Sequence, residues 1–560
     1  MTRTRLTLLA ILLAAASIRI HLLQIPLERD EGEYAYAGQL MRQGIPPYLL
    51  AANMKLPGTY AAYAVIMLAF GQSIAAIHLG LLLVNAAAIV LVYLLGRRLF
   101  SIPAGLAAGA CYALLSLGSS VLGTQAHATH FIVLAALAAT LLLLRYTESQ
   151  RPPLLWLSAL LFGLAFLMKQ QAIVFVIFGA AVRAAQLWRS PSRRSAFRAV
   201  ALYSVAAALP FALTCLILWR SGVFPRFWFW TFTYARQYAL ENSLSDGLAA
   251  FTDTFPPILQ QNLAIWILAA AGLVLLWWKR DHRKAAPFTT AFLVFSFLAV
   301  CPGLFFREHY FVQLLPAAAL LAGVAVSSAA AIFRSRVPYW LFAALLLFSA
   351  FQQREFLFRM SPTQACRELY GRNPFPEAIQ VAAYIRAHSS AAVRIAVIGS
   401  EPEIYFYAAR HSATSYIYTY GLMEPQPYAL TMQTEMTGQI EAADPEYIVY
   451  VAGDESWLRE PESPTRIFGW WSAYGPAHYR LVGVADIVSD DHTEYHWDAA
   501  AETYQPQSDH YLAVYRRKEP LSAVSAQTST LPRGSFRFAA TSQIARFLPL
   551  RPAAQAPRAP

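Results

Sequence analysis

The sequence predicts an all-α polytopic membrane protein of about 11 transmembrane helices plus juxtamembrane helices, with a C-terminal extracytoplasmic α/β domain. Three observations predict it. Of the 560 residues, 57% are hydrophobic and only 14% charged, which is a membrane composition. Apolar runs of about 20 residues, the length that crosses a bilayer, recur from the N-terminus to residue 352. Beyond 353 the chain changes to the composition of a soluble domain.

The apolar runs are 6–24, 77–96, 103–122, 129–146, 154–169, 172–188, 199–218, 262–279, 286–304, 310–330 and 338–352. If all of them cross, the basic clusters at 97–98, 145–151, 189–198, 279–284 and 334–336 share the side of the N-terminus. The positive-inside rule makes that side cytoplasmic and the membrane the cell's inner or plasma membrane. The net charge of +12 is thereby read as topology, and no nucleic-acid partner is expected. Met1 to Arg5 followed by an apolar run resembles a signal peptide, but Arg19 and His21 follow and no A-x-A site precedes the polar segment. It is read as a retained first span. The stretch 57–72 would invert every later loop if it crossed, so it is placed as a juxtamembrane helix on the outer side. The aromatic loop 219–261 joins it there.

From 353 to 519, runs at Arg394–Ile398, Tyr447–Val451 and Tyr511–Tyr515 read as strands. Helix-like stretches, Phe375 to His388 and Pro402 to Arg410, alternate with them. This organisation gives a transmembrane catalytic domain over 1–352, the α/β domain over 353–519, and a Ser/Thr/Ala/Pro/Arg-rich tail over 520–560 expected to be disordered. Cys111, Cys215, Cys301 and Cys366 form neither a disulfide framework nor a CxxC metal pair.

The residues that could carry chemistry follow the first span. Glu28, Asp30, Glu31 and Glu33 put four carboxylates in six positions beside a membrane, an arrangement that is costly unless something cationic visits them. The alternative is local: Asp30-x-x-Glu33 has the form of a capping box opening an amphipathic helix from Glu31 to about Gln43. Lys55 precedes Pro57, expected at N1 of the juxtamembrane helix, and is either a snorkelling anchor or a phosphate contact. Arg307 and His309 lie at the outer end of a later run, where both could face a phosphate or Arg307 could pair with Glu308. Lys169 sits where two short runs meet. His127 and His130, three apart, are either a divalent-metal pair lacking a third ligand or satisfied interfacial histidines. The topology puts all of these groups on one face of the membrane.

Asp30-Glu31 in the first outer loop, a helix ending near Gly44, and Lys55-Leu56-Pro57 before a Tyr-rich helix resemble the GT-C superfamily of dolichyl- or polyprenyl-phosphate-sugar-dependent glycosyltransferases. The nearest resemblance is to the protein O-mannosyltransferase and lipid A aminoarabinose transferase families. Gly163-Leu164 through Lys169, and His309-Tyr310-Phe311 with Leu315-Pro316, are similar to later family segments. The resemblance covers roughly residues 1–350. It departs in two places: the second outer turn carries His127 and His130 where an acidic residue is common, and the lysine motif reads Lys-Leu-Pro-Gly rather than Lys-Pro-Pro-Leu.

The resemblance implies inverting transfer of a sugar from a polyprenyl-phosphate carrier to an acceptor hydroxyl on a protein, lipid or glycan. Asp30 would be the base, and Glu31 would position the acceptor or share the proton. Lys55 and Arg307, with His309 and Lys169, would hold the donor phosphate. Rival readings are a lipid-linked polysaccharide ligase, which would carry a large Arg- and His-rich late outer loop, and a transporter or flippase, which would carry mid-span charges and repeated halves. In a third, a membrane-anchored binding protein, the α/β domain does the work.

Overall fold

Serine hydroxyls fix where two of the membrane helices begin. The Ser73 side chain accepts from the Ala76 N–H at the head of the helix Ile74–Leu99, and Ser101 accepts from Ala104 at the head of Ile102–Leu115, each satisfying a backbone donor that the first turn leaves unpaired. Arg97 and Arg98 close the first of these helices, where the negative end of its dipole favours them. The computed structural model describes residues 3–187 and 193–518. The tail 520–560 and part of the basic patch from Arg189 lie outside the described residues.

Each of the eleven apolar runs contains a helix among the described residues. Among the described residues, five helices are long and apolar enough to cross a membrane: Arg3–His21, Ile74–Leu99, Ala128–Ser149, Phe197–Arg220 and Leu315–Ile332. A sixth is counted if Leu244–Gln261 and Leu263–Trp278, bent by 97° at Asn262, form one broken span. The other apolar helices are shorter. Ala286–Leu298, with 13 residues, is about 20 Å long at 1.5 Å per residue, against a hydrocarbon layer of about 30 Å. Length alone therefore supports five or six of the eleven expected crossings. The runs 103–122 and 286–304 are cut short because the chain turns at Ser116 and Ala299. The helices meet closely at small residues: a Cβ on Gly272 would run into the Leu321 carbonyl. The juxtamembrane helix spans Gly58–Phe70, with Pro57 at its N-cap rather than at N1.

Beyond Gln352 a six-stranded sheet forms in the order β2-β1-β3-β6-β4-β5. The strands are β1 Arg394–Ile398, β2 His411–Ser412, β3 Tyr447–Val451, β4 Tyr479–Ser489, β5 His492–Trp497 and β6 Tyr511–Arg517. β2, β1 and β3 run parallel, and β6, β4 and β5 continue antiparallel. The apolar strands β1, β3 and β6 are the three read from sequence. β4 carries a register shift between Leu481 and Gly483, and β5 is a half-exposed edge strand, so neither shows a clean apolar pattern.

The sheet-bearing segment and the segment that follows the first helix are built into each other. The helix Arg29–Arg42, expected to be amphipathic, is buried along most of its length because Gly58–Phe70 packs on one side and the short helix Glu403–Ala408 on the other. Gly32 permits the second contact, since a Cβ there would lie 2.6 Å from Glu403 Cβ. Tyr36 stacks on Tyr405 at 5.1 Å and its hydroxyl accepts from the Ser412 N–H at 2.7 Å. Ala52 and Tyr416 form an isolated parallel bridge, with the Ala52 N–H donating to the Ser415 carbonyl at 2.9 Å.

Candidate active site

The cap of helix Arg29–Arg42 decides which carboxylates are free. Glu28, not Asp30, is the N-cap: its carboxylate accepts from the Asp30 N–H at 2.9 Å and the Glu31 N–H at 2.8 Å, and Glu31 closes the box on the Glu28 N–H. The helix starts two residues earlier than the Asp30-x-x-Glu33 spacing suggested, which moves the capping pair to Glu28 and Glu31. Glu31 also accepts from His78 Nε2 at 3.0 Å and from the Ala126 N–H at 2.5 Å. It is fully buried and faces the second outer turn rather than the cavity described below.

Asp30 and Glu33, released from capping, share one lysine. Lys55 Nζ lies 2.5 Å from Asp30 Oδ1 and 2.7 Å from Glu33 Oε2. Glu33 also accepts from Asn53 Nδ2 at 2.7 Å and from the Tyr60 hydroxyl. Asp30 Oδ1 accepts in addition from the Tyr418 hydroxyl at 2.9 Å, while Oδ2 has only the Tyr34 hydroxyl at 3.5 Å. Burial by itself would raise the Asp30 pKa. Lys55, then His309, His127 and Lys169, outweigh burial and hold it well below the usual carboxylate range. Burial would lower Lys55, but Asp30 and Glu33 raise it above its ordinary value. The pair is thus a carboxylate and an ammonium, with the carboxylate Oδ2 open.

A second group of nitrogens faces Asp30. Lys169, at the end of the helix Pro152–Met168, lies 3.4 Å from His309 Nε2 and 4.1 Å from the Tyr310 ring centroid. Burial, with Lys55 and Arg307 adding to it against Asp30, brings its pKa down to about 7. The imidazole of His127 stacks on His309 at 4.1 Å. Burial pulls both rings down, His127 to about 4, so each is neutral. Asp30, His127 and His309 place ligand atoms within 4.8 Å of one another, a set that could hold a metal ion. Of the expected pair, His127 belongs to this set and His130 does not: His130 lies buried in the first turn of the helix Ala128–Ser149, and His309 is the second histidine of the set. Arg307, within 3.5 Å of the Tyr238 hydroxyl, completes the cationic side.

These groups line one cavity of about 960 Å³. Of the residues singled out from sequence, Asp30, Lys55, His127, Lys169, Arg307 and His309 line it, and Glu31 and His130 do not. Its wall continues through Phe166 and the exposed Ile173. Sequence reasoning missed Tyr418 and Tyr420, which reach the cavity from beyond Gln352. The only signal was the alternating run Tyr416-Ile417-Tyr418-Thr419-Tyr420.

Residues 55–219 match the family described as dolichyl-phosphate-mannose-protein mannosyltransferase. The match starts on Lys55 and takes in His127 and Lys169. ArnT from Cupriavidus metallidurans, solved bound to undecaprenyl phosphate, superposes with a TM-score of 0.55 at 16% identity, covering 90% of this chain and 97% of that one. Its apo state gives the same values. This chain has the fold of ArnT. The oligosaccharyltransferase of Archaeoglobus fulgidus is more distant, with a TM-score of 0.48 at 12% identity over 90% of this chain and 75% of that one. No curated protein matches this chain in sequence. The ArnT-like fold runs through the sheet-bearing segment as well as the apolar helices.

Proposed function

We propose that the chain is an integral-membrane glycosyltransferase. It moves a sugar from a polyprenyl-phosphate donor to an acceptor hydroxyl, with inversion, on the extracytoplasmic face. The observation that carries this reading is one cavity in which an ionised carboxylate faces three basic side chains, Lys55, Lys169 and Arg307, and whose wall runs out to the exposed, apolar Ile173. The family match over 55–219 and the undecaprenyl phosphate held by ArnT support a lipid-phosphate donor. In this reading all eleven apolar runs cross, the N-terminus is cytoplasmic, and the segment 353–519 lies outside.

The acceptor oxygen attacks the anomeric carbon as the carbon–oxygen bond to the phosphate breaks. The bonding pair leaves with the polyprenyl phosphate, and the acceptor proton passes to Asp30 Oδ2. Arg307 and Lys169 take the phosphate charge, because no carboxylate lies within ion-pair distance of either among the described residues. Lys55 adds to them while keeping Asp30 ionised. Glu31 acts through the cap and the second outer turn rather than on the acceptor. The carrier reaches the phosphate site sideways past Phe166 and Ile173, so its chain never leaves the bilayer.

The test is transfer in vesicles from a panel of polyprenyl-phosphate sugars. At least one donor is expected to be consumed by the wild type, and Asp30→Asn is expected to abolish transfer while donor binding persists. Near-normal turnover in Asp30→Asn would remove Asp30 as the base. No binding or hydrolysis of any donor would remove the lipid-phosphate reading.

A further inference from the structure

The dipeptide Arg29-Asp30 is held residue by residue by the segment Tyr418-Thr419-Tyr420, which lies nearly four hundred positions later in the chain. Thr419 anchors that segment. It is fully buried, donates to the Ser456 carbonyl at 2.9 Å and meets Ser400 Oγ at 2.8 Å. With the middle residue anchored inward, its neighbours project toward the membrane helices. Tyr420 lies against Arg29, whose guanidinium is 5.2 Å from its ring centroid and 5.2 Å from that of Phe375. The same guanidinium donates to the Ser400 carbonyl at 2.6 Å and to Glu401 at 2.9 Å. Tyr418 lies against Asp30. Its hydroxyl donates to Oδ1 at 2.9 Å, and its ring is 5.2 Å from Lys55 Nζ.

Asp30 Oδ1 therefore has two good donors, Lys55 and Tyr418, and Oδ2 has none closer than 3.5 Å. A carboxylate gripped at one oxygen cannot rotate freely about its terminal bond. The oxygen left over is held in a fixed direction, which a base needs if its partner atom is to arrive already aligned. Lys55 alone would not provide this, because its ammonium is shared with Glu33 and can tilt toward either carboxylate. The Tyr418 hydroxyl has Asp30 as its hydrogen-bond acceptor, and the buried Thr419 fixes its direction.

From this we infer that Tyr418 is a positioning residue for the transfer reaction: it locks Asp30 Oδ1 and aims Oδ2 at the acceptor oxygen. The sheet-bearing segment is then part of the catalytic centre and not an appended module. The inference rests on the reading of Asp30 as the base.

The test is Tyr418→Phe in the full chain, which keeps the ring over Lys55 and removes only the hydroxyl. Tyr384→Phe, a Tyr to Phe change in the same segment far from Asp30, serves as the control. For Tyr418→Phe, kcat is expected to fall on the order of tenfold to a hundredfold with the donor KM within about twofold of wild type. Its melting temperature is expected to match that of Tyr384→Phe. In an Asp30→Glu background, where the carboxylate is already displaced, removing the hydroxyl is expected to cost much less. A wild-type kcat in Tyr418→Phe overturns the inference and leaves Asp30 as the base untouched. An increase in donor KM at unchanged kcat also overturns it, making Tyr418 a binding residue. Full activity in Asp30→Asn would instead remove the underlying reading, whatever Tyr418→Phe does.

Discussion

Lys55 Nζ rests 2.7 Å from Glu33 Oε2 at a point where the Glu33 side chain has no exposure to solvent. Glu33 is thus the buried anchor of the lysine, and Asp30, which lines the cavity, is its working partner. Removing one member of a buried pair leaves the other charge uncompensated, at a cost of about 3 to 5 kcal/mol. Glu33→Gln keeps the shape and several hydrogen bonds, so it is expected to fall at or below the low end of that range. Its thermal midpoint in detergent should drop while transfer declines less than in Asp30→Asn. Wild-type melting together with abolished transfer would reverse the two roles.

Lys169 gives the donor site a pH dependence near neutrality. Burial lowers its pKa to about 7, so it is mostly charged at pH 6 and mostly neutral at pH 8. A phosphate attracts the charged form, and binding therefore takes up a proton. Donor affinity is expected to weaken as pH rises through 7, and Lys169→Met should flatten that slope. Calorimetry in two buffers of different ionisation enthalpy measures the proton uptake. Equal slopes in the two proteins would exclude Lys169 from the phosphate site.

Glu403 is buried against Gly32, and its carboxyl makes no hydrogen bond with another residue. Burial, together with Glu401, raises its pKa well above the usual carboxylate value. A raised folded-state pKa means that stability is full below the unfolded value of about 4.3 and is lost as pH rises through the folded value. Replacing the group with an apolar one of similar size, Glu403→Met, removes an unsatisfied buried acid and should gain about 1 to 3 kcal/mol. The gain should be larger at pH 8 than at pH 5. A lower melting point at pH 8 would indicate that the carboxyl has a partner in the native protein.

Asp30, His127 and His309 are able to bind a divalent cation, but Lys55, Lys169 and Arg307 already provide positive charge in the same cavity. Transfer after treatment with EDTA is expected to stay within about twofold of the untreated rate, since side-chain cations can supply what a metal would. A large loss restored by a divalent metal, and absent in His309→Ala, would assign the three residues to that metal. Proton acceptance would then move off Asp30.

Much of this site was legible because charged groups in an apolar chain are few. Asp30, Lys55, Lys169, Arg307 and His309 each interrupt or flank an apolar run, and alternation of sides placed them together. The geometry brings those same residues to one cavity. The capping pair was misread because two carboxylate pairs with the same spacing, Glu28/Glu31 and Asp30/Glu33, overlap in the sequence, and only the start of the helix tells them apart. His127 was paired with His130 and not with His309 because nearness along a helix is visible in sequence and a stacked contact between distant segments is not. The helices in the runs 103–122 and 286–304 are shorter than the runs, since composition does not show where an apolar run turns at Ser116 or Ala299. Tyr418 was out of reach: nothing local distinguishes a tyrosine that touches Asp30 from one that fills a core.

The bridge between Ala52 and Tyr416 closes a loop of chain that contains every membrane helix except the first. Contacts so far apart in sequence form late, after the intervening chain is in place. During synthesis the Tyr418 partner of Asp30 emerges 388 residues after it. A half-made chain would carry the carboxylate and its lysine without the wall that orients them. In such a chain Asp30 Oδ1 would have Lys55 but not the Tyr418 hydroxyl until the sheet-bearing segment had folded.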